Sequence, residues 1–145
     1  MILVGRTMVR PFCLENKTMK KTTLLILGDL LAIALVTAIG FATHGETGLS
    51  FLPRMAAAFF PVSLTWFVLA PALGLFRAEN VSEPKQLWRP VLAMIFAAPL
   101  AAVLRGLLLN APIIPIFAVV LSSTSAFGML VWRAFYLWFI RGKSS

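Results

Sequence analysis

Residues 24–46 read LLILGDLLAIALVTAIGFATHGE, and the reading of this stretch decides the fold. An apolar run of about 20 residues crosses ~30 Å of hydrocarbon as a helix. This one is interrupted by Asp29 and closed by His44-Gly45-Glu46. Just upstream, Met19-Lys20-Lys21 gives it the basic start of a secretory signal peptide. Cleavage is rejected, because the apolar core exceeds the usual ~7–15 residues, carries an acid and precedes three more apolar segments. The stretch is therefore expected to stay in the membrane as a helix with one polar face.

Composition agrees. Of 145 residues, 60% are hydrophobic and only 12% charged, about half the charge of a soluble domain. Mean hydropathy is +0.92. Four spans are expected, at about 22–43, 55–76, 87–109 and 113–140, as one transmembrane domain over 22–140. Short connections make sequential spans antiparallel, which predicts an all-α, up-down four-helix bundle. The lipid bilayer is the expected partner.

The net charge of +8 reads as topology. Arg6, Arg10, Lys17, Lys20, Lys21, Arg77, Lys85, Arg89, Arg141 and Lys143 fall on one side and only Arg54 on the other. The positive-inside rule then places both termini in the cytoplasm, across the cytoplasmic (inner) membrane. Residues 1–21 form a basic cytoplasmic segment and 141–145 a cytoplasmic tail. Met19 looks like a natural start, which would make 1–18 an upstream extension of the reading frame, poorly packed. No Lys/Arg stripe interleaves with exposed aromatics, so nucleic acid is not an expected partner.

Ionisable residues inside spans normally face the bundle interior and find partners. Asp29 and Arg133 each lie about seven residues from the same ends of the first and last spans, so both sit ~10 Å deep. They are predicted to form an intramembrane ion pair. At the opposite end His44, Glu46, Arg54 and Arg105 are expected to form an outer polar pocket, with Arg105 either snorkelling outward or meeting Glu46. Asp29, Ile33, Thr37, Gly40 and His44 share one helical face. Small residues on the third and fourth spans (Ala98, Ala101 and Ala102; Ser122 and Ala126) favour close approach to it.

Other features have plainer readings. Pro61, Pro71 and Pro99 fall inside spans; tolerated membrane prolines are the favoured reading, with Pro61, above Trp66, the candidate for a broken helix. Trp88, Trp132, Tyr136 and Trp138 read as an interfacial belt, with a Trp132–Arg133 cation–π contact. The hydroxyls of Ser122–Ser125 are expected to bond back to helix carbonyls. One His and one Cys per chain close no metal or haem site without a second copy, so neither metal nor cofactor is expected. No nucleophile elbow, HExxH, paired carboxylates or phosphate-binding Gly loop is present. No catalytic residue is nominated, and a non-enzymatic role is expected.

At these residues the chain resembles an uncharacterised prokaryotic membrane family, domain of unknown function 3054. The resemblance covers about residues 24–139. It rests on GDLLAIALVTAIGFATHGE, Phe60-Pro61 with Trp66, the stretch from Pro99 to Arg105, and Trp132-Arg133. Residue by residue it falls on Asp29, Gly40, His44, Pro61, Trp66, Arg105, Trp132 and Arg133. The family carries Gly just before the second-span Trp, whereas Thr65 stands here, which bears on how closely that helix meets its neighbour. The resemblance implies architecture and brings no activity. Two roles stay open: a carrier or conduit for a proton, ion or small solute through these groups, or a structural or assembly subunit in which the charges serve packing only. Four spans leave little room for a pathway without a homo-oligomer or a larger membrane complex.

Overall fold

The computed structural model describes residues 9–142, with side chains from Lys21 onward except Ala78. Among these the chain forms helices α1 (Val9–Thr43), α2 (Leu52–Ala72), the single turn α3 (Ala78–Val81), α4 (Trp88–Leu109) and α5 (Pro115–Gly142). Two 3₁₀ turns, Leu49–Phe51 and Pro84–Gln86, lead into α2 and α4. The apolar stretches long enough to span a membrane are Lys21–Thr43, Leu49–Ala72, Pro84–Leu109 and Pro115–Gly142. Residues 1–8 and 143–145 of the expected terminal segments lie outside the described residues. Arg141 and Gly142, expected in a tail, belong to α5.

The second span differs most from its expected bounds of 55–76. It starts earlier because Pro53, at the first helical turn, suits a helix start and needs no donor there. It stops earlier because Gly74 takes a left-handed φ of +68°. The amide of Gly74 bonds Pro71 O and that of Leu75 bonds Ala70 O, both at 2.9 Å. This is a Schellman stop, with Leu75 and Ala70 both buried. The fourth span likewise begins at Pro115 rather than 113, after a non-helical Ala111–Ile114.

The same device ends two other helices. Gly45 (φ +74°) stops α1, with Glu46 N bonding Phe41 O at 3.0 Å; Asn110 (φ 46°) stops α4, with Ala111 N bonding Gly106 O at 3.0 Å. His44-Gly45-Glu46 is thus first of all a helix terminus. Each stop answers carbonyls that a helix end leaves open.

α1, α2, α4 and α5 close into an up-down bundle. The tightest pairs are α4 with α5 and α4 with α2, while α1 leans on α5 and α2. α4 turns inward a face of Ala93, Met94, Ala97, Ala98, Ala101 and Ala102, all buried. Small side chains let membrane helices approach closely, since lipid tails supply no hydrophobic drive between them. Leu27, Leu31, Leu35 and Ile39 form an exposed stripe on α1, as expected of a surface meeting hydrocarbon. Pro61 and Pro99 sit within helices that continue through them. Pro61 therefore breaks no helix.

Glycines mark where α1 meets α5. A methyl at Gly28 would fall inside the Trp132 indole, and one at Gly128 would strike Val36, whereas one at Gly40 meets nothing within 4 Å. Gly28→Ala is expected to destabilise by about 1–3 kcal/mol, read by thermal unfolding in bicelles. Gly40→Ala should stay within about 0.5 kcal/mol of the parent.

Candidate functional site

The site is built around one carboxylate. Asp29, on α1, has 0% of its surface exposed. Oδ1 accepts from Trp132 Nε1 at 2.9 Å and Arg133 Nε at 3.1 Å. Oδ2 accepts from Arg133 Nη2 at 2.6 Å and Trp66 Nε1 at 3.1 Å. A carboxylate offers about four acceptor positions, and all four are taken. The guanidinium binds side-on with two parallel bonds, the geometry in which charge-assisted pairs are strongest.

Arg133 is held as firmly. Its Nη1 donates to Leu75 O at 3.1 Å, a carbonyl just beyond the α2 terminus. Its guanidinium lies 5.9 Å from the Trp66 ring and 5.6 Å from the Phe76 ring. These are its cation–π partners, in place of the expected Trp132, which is occupied with Asp29. The expected interfacial belt divides in the same way. Trp88 and Trp138 are exposed, but Trp132 turns inward and Tyr136 is buried, its hydroxyl donating to Lys21 O at 3.1 Å. The need to satisfy a buried acid outweighs the interfacial preference of an indole.

The clasp joins α1, α2 and α5, leaving α4 to pack by its alanines. Side chains from α4 and from the connection after α2 tie down the end of α2. Arg89 Nη1 donates to Leu73 O at 2.8 Å and Asn80 Nδ2 to Gly74 O at 2.8 Å. With Arg133 on Leu75 O, three side chains answer successive carbonyls past the end of α2. On the other side of the clasp Ile33, Val62, Ala126 and Met129 are buried in one apolar cluster with Trp66.

The structure brings Asp29 to Arg133 and gathers the other predicted polar residues around a separate cavity. His44, Glu46, Arg54 and Arg105 line a cavity of about 310 Å³ at the opposite end, with Thr37 and Gly40. Glu46 pairs with Arg54 at 3.6 Å, and Arg105 meets neither. Instead its guanidinium stacks 4.8 Å from the Phe117 ring. Thr37 bonds back to Ile33 O at 2.9 Å, so its hydroxyl extends no polar line toward Asp29. Ser122, Ser123 and Thr124 bond back likewise to Ala118, Val119 and Val120. Thr65 is buried with its hydroxyl on Pro61 O at 2.8 Å, so α2 packs closely despite the extra side chain. Among the described residues no group of three or more His, Cys, Asp and Glu gathers as a metal site.

Reading the residues alone missed the indoles as donors. A signal was there: Trp66 lies six residues before Ala72, about 9 Å from its helix end, at the depth of Asp29. Gly28, beside Asp29, was the other signal, since only a bare backbone there admits Trp132.

Four apolar helices closed around this pair define the class, a multi-pass helical membrane protein. The family described as a protein of unknown function (DUF3054) matches residues 26–136, and the chain belongs to it. No curated protein and no solved structure gives a significant match.

A mutant cycle tests the clasp. Asp29→Asn and Arg133→Gln should each cost about 3–5 kcal/mol, and the double mutant less than their sum, because each single change strands a buried partner. Trp66→Phe and Trp132→Phe should each cost about 1.5–3 kcal/mol through one donor lost from a charged acceptor. Unfolding in mixed micelles measures all of them, and additive losses would refute the coupling.

Proposed function

We propose that this chain is a non-enzymatic structural or assembly subunit of the cytoplasmic membrane, in which the Asp29–Arg133 pair is a packing clasp. The observation that carries this reading is the saturation of Asp29. Its acceptor positions are filled by Arg133, Trp66 and Trp132. A carrier group must exchange its proton or ligand at each cycle, and here every exchange would first break a buried charge-assisted bond. The apolar layer of Ile33, Val62, Ala126 and Met129 also stands between the clasp and the His44 end. A conduit would need water there.

Orientation belongs to the same reading. Lys21, Arg77, Lys85, Arg89 and Arg141 gather at the end that holds the clasp, and Arg54 at the other. Lys/Arg enrichment on short flanking segments sets the cytoplasmic side. This supports a topology with both ends of the bundle's chain in the cytoplasm.

Proteoliposomes loaded with a pH-sensitive dye test the reading. Under an imposed proton gradient, vesicles with the wild-type chain should leak no faster than protein-free ones, and Asp29→Asn should change nothing. A protein-dependent flux that Asp29→Asn abolishes would replace the clasp with a carrier.

A further inference from the structure

The His44 end carries a second arrangement that the helix packing leaves unused. Between α1 and α5 runs a groove of about 610 Å³ with no ionisable residue in its lining. It extends from Gly28 and Trp132 up to Thr43 and Thr124. That is ~22 Å along α1, longer than the ~15 Å of one hydrocarbon leaflet. Its rims are exposed and apolar, with Leu31, Leu35 and Ile39 on one side and Phe127, Val131 and Phe135 on the other.

The groove opens into the polar cavity. Val36, Gly40, Thr43 and Thr124 line both spaces. Gly40 sits at the junction, and the missing side chain leaves it open. The cavity is lined by two guanidiniums, Arg54 and Arg105, the imidazole of His44 and a single carboxylate, Glu46. Glu46 is engaged loosely by Arg54 at 3.6 Å, with 61% of the Arg54 side chain exposed. Arg105 has no ion pair among the described residues, and its buried Nε has no hydrogen-bond partner. It lies four residues before Leu109, about 6 Å inside the helix end. A guanidinium that lines the cavity without a carboxylate beside it is a charge that a bound anion answers.

A cation at headgroup depth beside an open apolar track matches an amphiphile. A soluble anion would leave the track empty, and a partner helix would leave Arg105 unanswered. We propose that the His44 end binds one anionic phospholipid, with its phosphate against Arg105 and one acyl chain along the groove between α1 and α5. The planar guanidinium takes two phosphate oxygens at once, and His44 and Arg54 flank the headgroup. Asp29 and Arg133 take no part, so this site stands or falls apart from the clasp.

Native mass spectrometry of the full chain tests it, by titration with phosphatidylglycerol, phosphatidylcholine of the same acyl chains, or inorganic phosphate. Phosphatidylglycerol should bind at one copy about tenfold more tightly than phosphatidylcholine, because both bring the phosphate but only choline sets a cation beside Arg54 and Arg105. Arg105→Gln should abolish that preference, and Arg105→Lys should keep part of it. Gly40→Trp, which blocks the junction, should weaken both lipids while leaving the melting temperature unchanged. Equal binding of the two lipids by the wild type would overturn the proposal, as would an unaltered preference in Arg105→Gln. Displacement of the lipid by equimolar inorganic phosphate would overturn it too, because the groove would then contribute nothing.

Discussion

An ionised carboxylate in hydrocarbon has no water to turn to, and the rest of this bundle is arranged to replace that water. Asp29 is supplied with four donors from three side chains. Their geometry sets where α2 and α5 stand relative to α1. An aliphatic residue at this position would tolerate many helix registers. A carboxylate that needs an indole from each side and a guanidinium side-on tolerates one. Buried polar groups add specificity of packing where they are fully satisfied, and the Asp29 carboxylate is.

The remaining contacts follow from that constraint. α4 contributes no donor to Asp29, so it is free to present alanine to its neighbours and pack closest of all. Gly28 and Gly128 give way where α1 and α5 must touch. The Schellman stop of α2 has two roles, since it ends the helix and turns the Leu75 carbonyl toward Arg133. Backbone capping and charge neutralisation thereby become one structure. Polar interactions in membranes are individually modest, because a loose chain also finds partners. Their weight here comes from convergence on one residue.

Much of this was legible in the sequence. Long apolar runs between short polar links carry the four spans, and matched depth alone pairs Asp29 with Arg133. The α2 boundaries were harder, because Leu73, Leu75 and Phe76 extend the apolar run past the point where Gly74 turns the backbone. Trp132 and Tyr136 were misread for a related reason. Aromatics near a span end fit the interface by composition, and only the third dimension reveals a buried acceptor behind them. Arg105 shows the limit from the other side. Its depth was evident, but its stacking on Phe117 and its distance from Glu46 depend on the irregular Ala111–Ile114 link, which carries no periodic signal.

The clasp also has a consequence for biosynthesis. Asp29 meets Trp66 across 37 residues of chain, but meets Arg133 across 104. Chains are made from the N-terminus, so the first helix reaches the bilayer long before the last exists. Until then Trp66 is the one native donor to Asp29 that the growing chain already holds. Only the arrival of α5 neutralises it. A chain truncated before Arg133 keeps the acid in its first helix but lacks the guanidinium that supplies two of its four donors.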